Sequence, residues 1–130
     1  VMSDAENKFM LQTEADGKFE ERGLRDYFSY RDLGMLEATG GRVMAQINRA
    51  RGAVTEEGGK HHHVVDFQMN YVLKGWAKMN FEGIGEVLME AGTSMHMPPG
   101  IKHTFVACSE DFETLEICLP GDFPTVEDDG

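Results

Sequence analysis

From Gly40 onward, apolar and polar residues alternate with period two. Val43, Ala45 and Ile47 interleave with Met44, Gln46 and Asn48; Phe67, Met69, Tyr71 and Leu73 interleave with Gln68, Asn70 and Val72. The same texture recurs where Ala77, Met79 and Phe81 meet Trp76, Lys78 and Asn80, and where Leu115, Ile117 and Leu119 meet Thr114, Glu116 and Cys118. Successive side chains of a strand point to opposite faces, so each run predicts a strand with two chemically distinct faces. Gly40-Gly41, Gly58-Gly59, Gly75, Gly83, Gly85, Gly92 and Pro98-Pro99-Gly100 supply the turns between them. Short strands broken by frequent turns predict an all-β fold, an antiparallel sandwich or barrel spanning residues 33–122.

The flanks differ. Residues 1–32 show no clean period and read as an N-terminal arm rich in acids, with Phe9, Met10, Leu11 and Phe19 scattered through it. Between Glu20 and Asp32, the helical spacing of Leu24, Tyr27 and Phe28 predicts one short helix, against which Gly23 and Gly34 weigh. With Tyr30, the arm holds more apolar surface than a free segment keeps. It is expected to cover a sheet edge, either in its own chain or in a neighbour's. Residues 123–130 read as an acidic tail, solvated or loosely docked.

Charge narrows the partners. The 130 residues carry 12 Lys+Arg against 23 Asp+Glu, a net charge of -11. Neutralising nucleic-acid phosphates needs a basic surface, so nucleic acid is not an expected partner, nor is an anionic membrane surface. No apolar run is long enough to span a bilayer. The opening VMSDAENKF has neither the basic nor the apolar region of a secretory signal, so the expected location is cytoplasmic. Cys108 and Cys118 form no metal-type pair and read as free, half-buried strand thiols.

Candidate chemistry gathers on histidines. His61 and His63 share strand parity and project to one face, while His62 points away. Gln68 lies five residues beyond His63, and His103 follows the Pro98-Pro99-Gly100 turn and must arrive from another strand. Four such ligands make a half-shell around a metal with one side open to water or substrate. Surface histidine runs also arise with no such role. Spacing across two separated segments, rather than the number of imidazoles, favours the ligand set.

These spacings resemble the two motifs of the cupin superfamily. The first, G(X)5HXH(X)3–4E(X)6G, is met by His61, His63, Gln68 and Gly75, with Thr55 in place of its opening glycine. The second, G(X)5PXG(X)2H(X)3N, is met by Gly92, Pro98, Gly100 and His103, with Ala107 in place of its asparagine. The resemblance covers roughly residues 40–120 and implies a small antiparallel cupin barrel, a double-stranded β-helix or jelly roll, with a metal in its mouth. It implies one divalent transition metal (Fe, Mn, Ni, Co, Cu or Zn), a small-molecule ligand or substrate, and a homodimer paired through the N-terminal arm.

Gln68 stands where most cupins have glutamate. An amide oxygen coordinates without cancelling any of the ion's charge, leaving the metal more electrophilic. That favours Lewis-acid chemistry (isomerisation, ring opening or lyase reactions) over a cupin dioxygenase or a non-catalytic metal- and ligand-binding cupin, which stay as alternatives. Gln ligands also occur in cupins that linearise unsaturated monouronates, where an acid on the corresponding strand transfers protons. Glu116 matches that acid by position, and Pro120-Gly121-Asp122 stands where an arginine is expected after it. The face Glu116 shares with Thr114 and Cys118 points either to water or into the barrel. Asn70, sharing the parity of Gln68, and His96, between Met95 and Met97, are candidate substrate-binding residues; for His96 a surface or core position is an equal alternative. Met44, Met79, Met89, Met95 and Met97 are expected to fill the barrel wall, and Trp76 to pack.

Overall fold

The computed structural model describes residues 7–21, 27–121 and 125–128. Ten strands and one helical turn follow one another: β1 (Phe28–Asp32), α1 (Met35–Ala38), β2 (Met44–Ala50), β3 (His61–His63), β4 (Phe67–Lys74), β5 (Trp76–Phe81), β6 (Gly85–Glu90), β7 (Ser94–His96), β8 (His103–Cys108), β9 (Glu113–Leu119) and β10 (Thr125–Glu127). They form two five-stranded sheets, β1-β2-β9-β4-β7 and β10-β3-β8-β5-β6, in which neighbouring strands pair antiparallel. The chain crosses from one sheet to the other at Gly75, whose φ of 68° suits a residue without a side chain. A Cβ there would stand 3.1 Å from the Phe112 Cα.

The inner faces are not the apolar halves of every alternation. On β5, Ala77, Met79 and Phe81 are buried as a conventional core face. On β4 and β9 the assignment inverts: Gln68, Asn70, Val72, Thr114 and Cys118 are buried, while Tyr71, Leu73 and Leu119 are exposed. Register then lines up inward rows across three strands. Gln46 lies opposite Glu116 and Glu116 opposite Asn70; Asn48 lies opposite Thr114 and Thr114 opposite Val72. Beyond these rows Phe28, Ala50, Ala77, Met79, Phe105 and Phe112 join Val72 to close the interior with an apolar plug. The barrel therefore has a polar half and an apolar half.

Several expectations change. Phe28 and Tyr30, assigned to the arm and its helix, are buried residues of β1. They gain more from pairing with β2 and packing on the plug than a short isolated helix offers. The helical turn lies instead at α1, and Leu24 falls outside the described residues. The described part of the arm runs along its own chain. Glu20 bridges Tyr30, the Lys8 N–H donates to the Ala38 carbonyl, and Arg31 Nε donates to Gln12 Oε1 at 2.8 Å. The 123–130 region contains β10, paired with β3.

Met79, Met89 and Met97 join the core and Met95 packs against it, whereas Met44 is only half-buried and stands apart from that cluster. Trp76 is exposed, with the Lys78 ammonium 5.9 Å from its ring centroid. Both cysteines are fully buried rather than half-buried. Burial pushes both thiols up, Cys118 furthest, which keeps them protonated and unreactive.

Candidate metal centre

Three imidazoles meet at the polar half. His61 on β3 lies opposite His103 on β8, and His63 shares the parity of His61. The ring centroids are 4.3 Å apart for His61 and His103, 5.0 Å for His61 and His63, and 5.1 Å for His63 and His103. One ring nitrogen from each lies within 4.8 Å of the others. Nitrogens bound to one transition metal at about 2.1 Å stand at most about 4.2 Å apart, a spacing small rotamer adjustments reach.

Tautomers strengthen the fit. His61 Nδ1 is 3.1 Å from the Gly59 carbonyl, and His103 Nδ1 is 2.9 Å from the Ile101 carbonyl. A carbonyl oxygen only accepts, so each neutral ring carries its proton on Nδ1 and its lone pair on Nε2, the nitrogen that would bind a metal. His62, expected to point away, does so: its Nδ1 meets Asp128 Oδ2 at 2.9 Å beside β10. That hydrogen bond holds the Asp128 carboxyl below the usual carboxylate range.

The facing wall carries Gln68 and Glu116. Gln68 is 2% exposed and inward on β4. Its Nε2 donates to Glu116 Oε2 at 2.8 Å. Glu116 Oε1 accepts from Gln46 Nε2 at 3.0 Å and from Asn48 Nδ2 at 3.1 Å. Of the two directions open to Glu116, the structure takes the one into the barrel, between buried Thr114 and Cys118. Asn70 is buried in the same wall, and its Oδ1 accepts from Thr114 Oγ1 at 3.2 Å.

His96 does not join them. It is exposed on the outer face of β7, opposite Met69, with its ring 5.6 Å from that of Phe67. Met95 and Met97 turn inward around it, and period-two alternation sends the residue between them out. Gln46 and Asn48 were missed as site residues. Their only sequence signal is membership of the polar half of an alternating run. Asn48 Oδ1 is buried and finds no hydrogen-bond partner among the described residues. Leaving such an acceptor unpaired costs about 1–3 kcal/mol, which a ligand hydroxyl or N–H would recover.

Comparisons with known proteins place this geometry. A family model described as a cupin domain matches residues 51–118, more than half of the chain. No curated protein matches in sequence. Among solved structures, KdgF from Halomonas sp. is similar at 18% identity and a TM-score of 0.65, covering 83% of this chain and 92% of its own. An RmlC-like cupin from Shewanella frigidimarina is similar at 19% identity and a TM-score of 0.66, covering 88% and 94%. The polyketide cyclase RemF from Streptomyces resistomycificus is similar at 17% identity and a TM-score of 0.69, covering 92% and 85%. At these identities the likeness concerns the fold.

Proposed function

The chain belongs to the cupin family, and we propose that it is a metal-dependent enzyme acting on a small molecule inside the barrel. His61, His63, Gln68 and His103 would hold one divalent transition metal. The observation that carries the proposal is the convergence of three inward imidazoles, two of them with Nδ1 tied to a backbone carbonyl. Bound there, the ion supplies Lewis-acid polarisation of a substrate oxygen.

The chain's own groups do the rest. Asn48 Oδ1 offers an acceptor to a substrate hydroxyl or N–H. Glu116 is the proposed proton-transfer group, since three amide donors leave part of its acceptor capacity for a substrate proton. Asn70 shapes the same wall. The apolar plug behind excludes water from one side. Isomerisation, ring opening or elimination suit a neutral ligand set with an acid/base beside it. Elemental analysis of protein purified without a histidine tag should find one metal ion per chain. Removal by chelator and reloading should switch turnover of a metabolite panel off and on. Substoichiometric metal in the purified protein overturns the proposal.

Pairing of two copies belongs to the same proposal. Phe9 and Leu11 stand exposed at 92% and 69%, while Arg31 and Gln12 anchor the arm beside them. A second copy is the occupant that would cover them. Sedimentation at micromolar concentration should give twice 14.5 kDa, and a single-chain mass with residues 1–32 intact refutes pairing.

No helix among the described residues is long and apolar enough to cross a membrane.

A further inference from the structure

Gln68 can serve a cation only through its oxygen, and the amide has two ends. A carboxylate accepts hydrogen bonds and donates none, so the 2.8 Å contact with Glu116 Oε2 must be made by the Gln68 NH2 group. The Gln68 oxygen then faces the other way. The same logic fixes Gln46 and Asn48, whose amide nitrogens both point at Glu116 Oε1. Register explains why one carboxylate collects all three. Gln46 lies directly opposite Glu116 on β2; Asn48 and Gln68 are its diagonal neighbours on β2 and β4.

We infer that Glu116, held by Gln46 and Asn48, has a second role besides the proton transfer proposed above: it locks the Gln68 amide with its oxygen toward the His61, His63 and His103 nitrogens. This rests on the metal-binding proposal above and extends it beyond the ligands. It also relocates a charge. The ligand set is neutral, but a carboxylate sits directly behind its amide member, where an N–H···O⁻ bond makes the amide oxygen a better donor to a cation. Carboxylates behind metal-bound imidazoles act in the same way.

Counting hydrogen bonds predicts the effect of Glu116→Gln. The new amide at position 116 has one accepting and one donating end. Its oxygen satisfies two donors if it faces Gln46 and Asn48, but only one if it faces Gln68. The first arrangement wins and presents an NH2 group to Gln68. Gln68 must then turn its oxygen to position 116 and its own NH2 toward the imidazoles, where it cannot ligate. Adding Gln68→Glu repairs this, because one new carboxylate oxygen accepts from position 116 and the other faces the ion.

Co2+ serves as the probe, read by its dissociation constant and its visible ligand-field spectrum. Glu116→Gln should weaken Co2+ by about 10- to 100-fold and alter the spectrum. The Glu116→Gln/Gln68→Glu double variant should recover affinity. Wild-type affinity and spectrum in the single variant overturn the inference and leave the metal centre standing. Loss in both variants overturns it too, since it marks general damage to the wall. No Co2+ binding by the wild-type protein, or full binding by His61→Ala/His63→Ala, instead removes the metal centre on which the inference rests.

Discussion

Replacing His61 and His63 together by alanine is expected to abolish bound metal and leave the barrel folded. The two residues supply two of the three converging imidazole nitrogens. His103 and a glutamine amide that remain form too small a set to retain a transition metal at cellular concentrations. The fold should survive because both side chains lie in the polar half, on a strand of three residues, away from the plug around Phe105 and Phe112. Elemental analysis beside far-ultraviolet circular dichroism separates the two effects. Full metal retention in the double variant would sink the site.

Phe112→Ala should produce the largest loss of stability. Phe112 is 1% exposed, and its ring lies 6.2 Å from Phe28 and 6.1 Å from Phe105, centroid to centroid. Its backbone also serves the fold, since the Ala50 N–H donates to its carbonyl at 2.9 Å. That bond survives the substitution, so the cost is that of lost contacts and a cavity, about 3–5 kcal/mol for a buried phenylalanine. Against a total stability of about 5–15 kcal/mol, this moves a urea midpoint far. A loss below about 1 kcal/mol with an unchanged denaturant slope would contradict the packing described.

The cluster of His61, His63 and His103 was the most legible part of the molecule. His61 and His63 needed only strand parity to share a face, and that parity is local. The glycine- and proline-bearing turns are local too, which is why Gly75, with its positive φ, falls at a strand junction. The resemblance of the two motifs to cupins supplied the pairing of His103 with the first segment, and β3 opposite β8 realises it.

What escaped was anything that depends on which face of a strand looks inward. Alternation distinguishes two faces and says nothing about which one the barrel encloses. Hydrophobicity normally decides, but an interior that houses a polar site reverses the rule on β4 and β9, where Gln68, Asn70 and Thr114 are inside and Tyr71 and Leu119 are out. For His96 the alternation leaves a cavity-lining and a surface position equally open, and the inward turn of Met95 and Met97 selects the surface. β1 was hidden because five residues fit a helical spacing as readily as a strand, and only pairing with β2 selects between them.

By itself, then, the sequence determined the strand-rich fold, the turns and the histidine pair, because each depends on neighbours within a few residues along the chain. The tertiary structure alone decided that Gln46, Asn48 and Gln68 all bond Glu116, across sequence separations of 70, 68 and 48 residues. Strand order and register set those contacts, and both come from packing the whole chain around one interior.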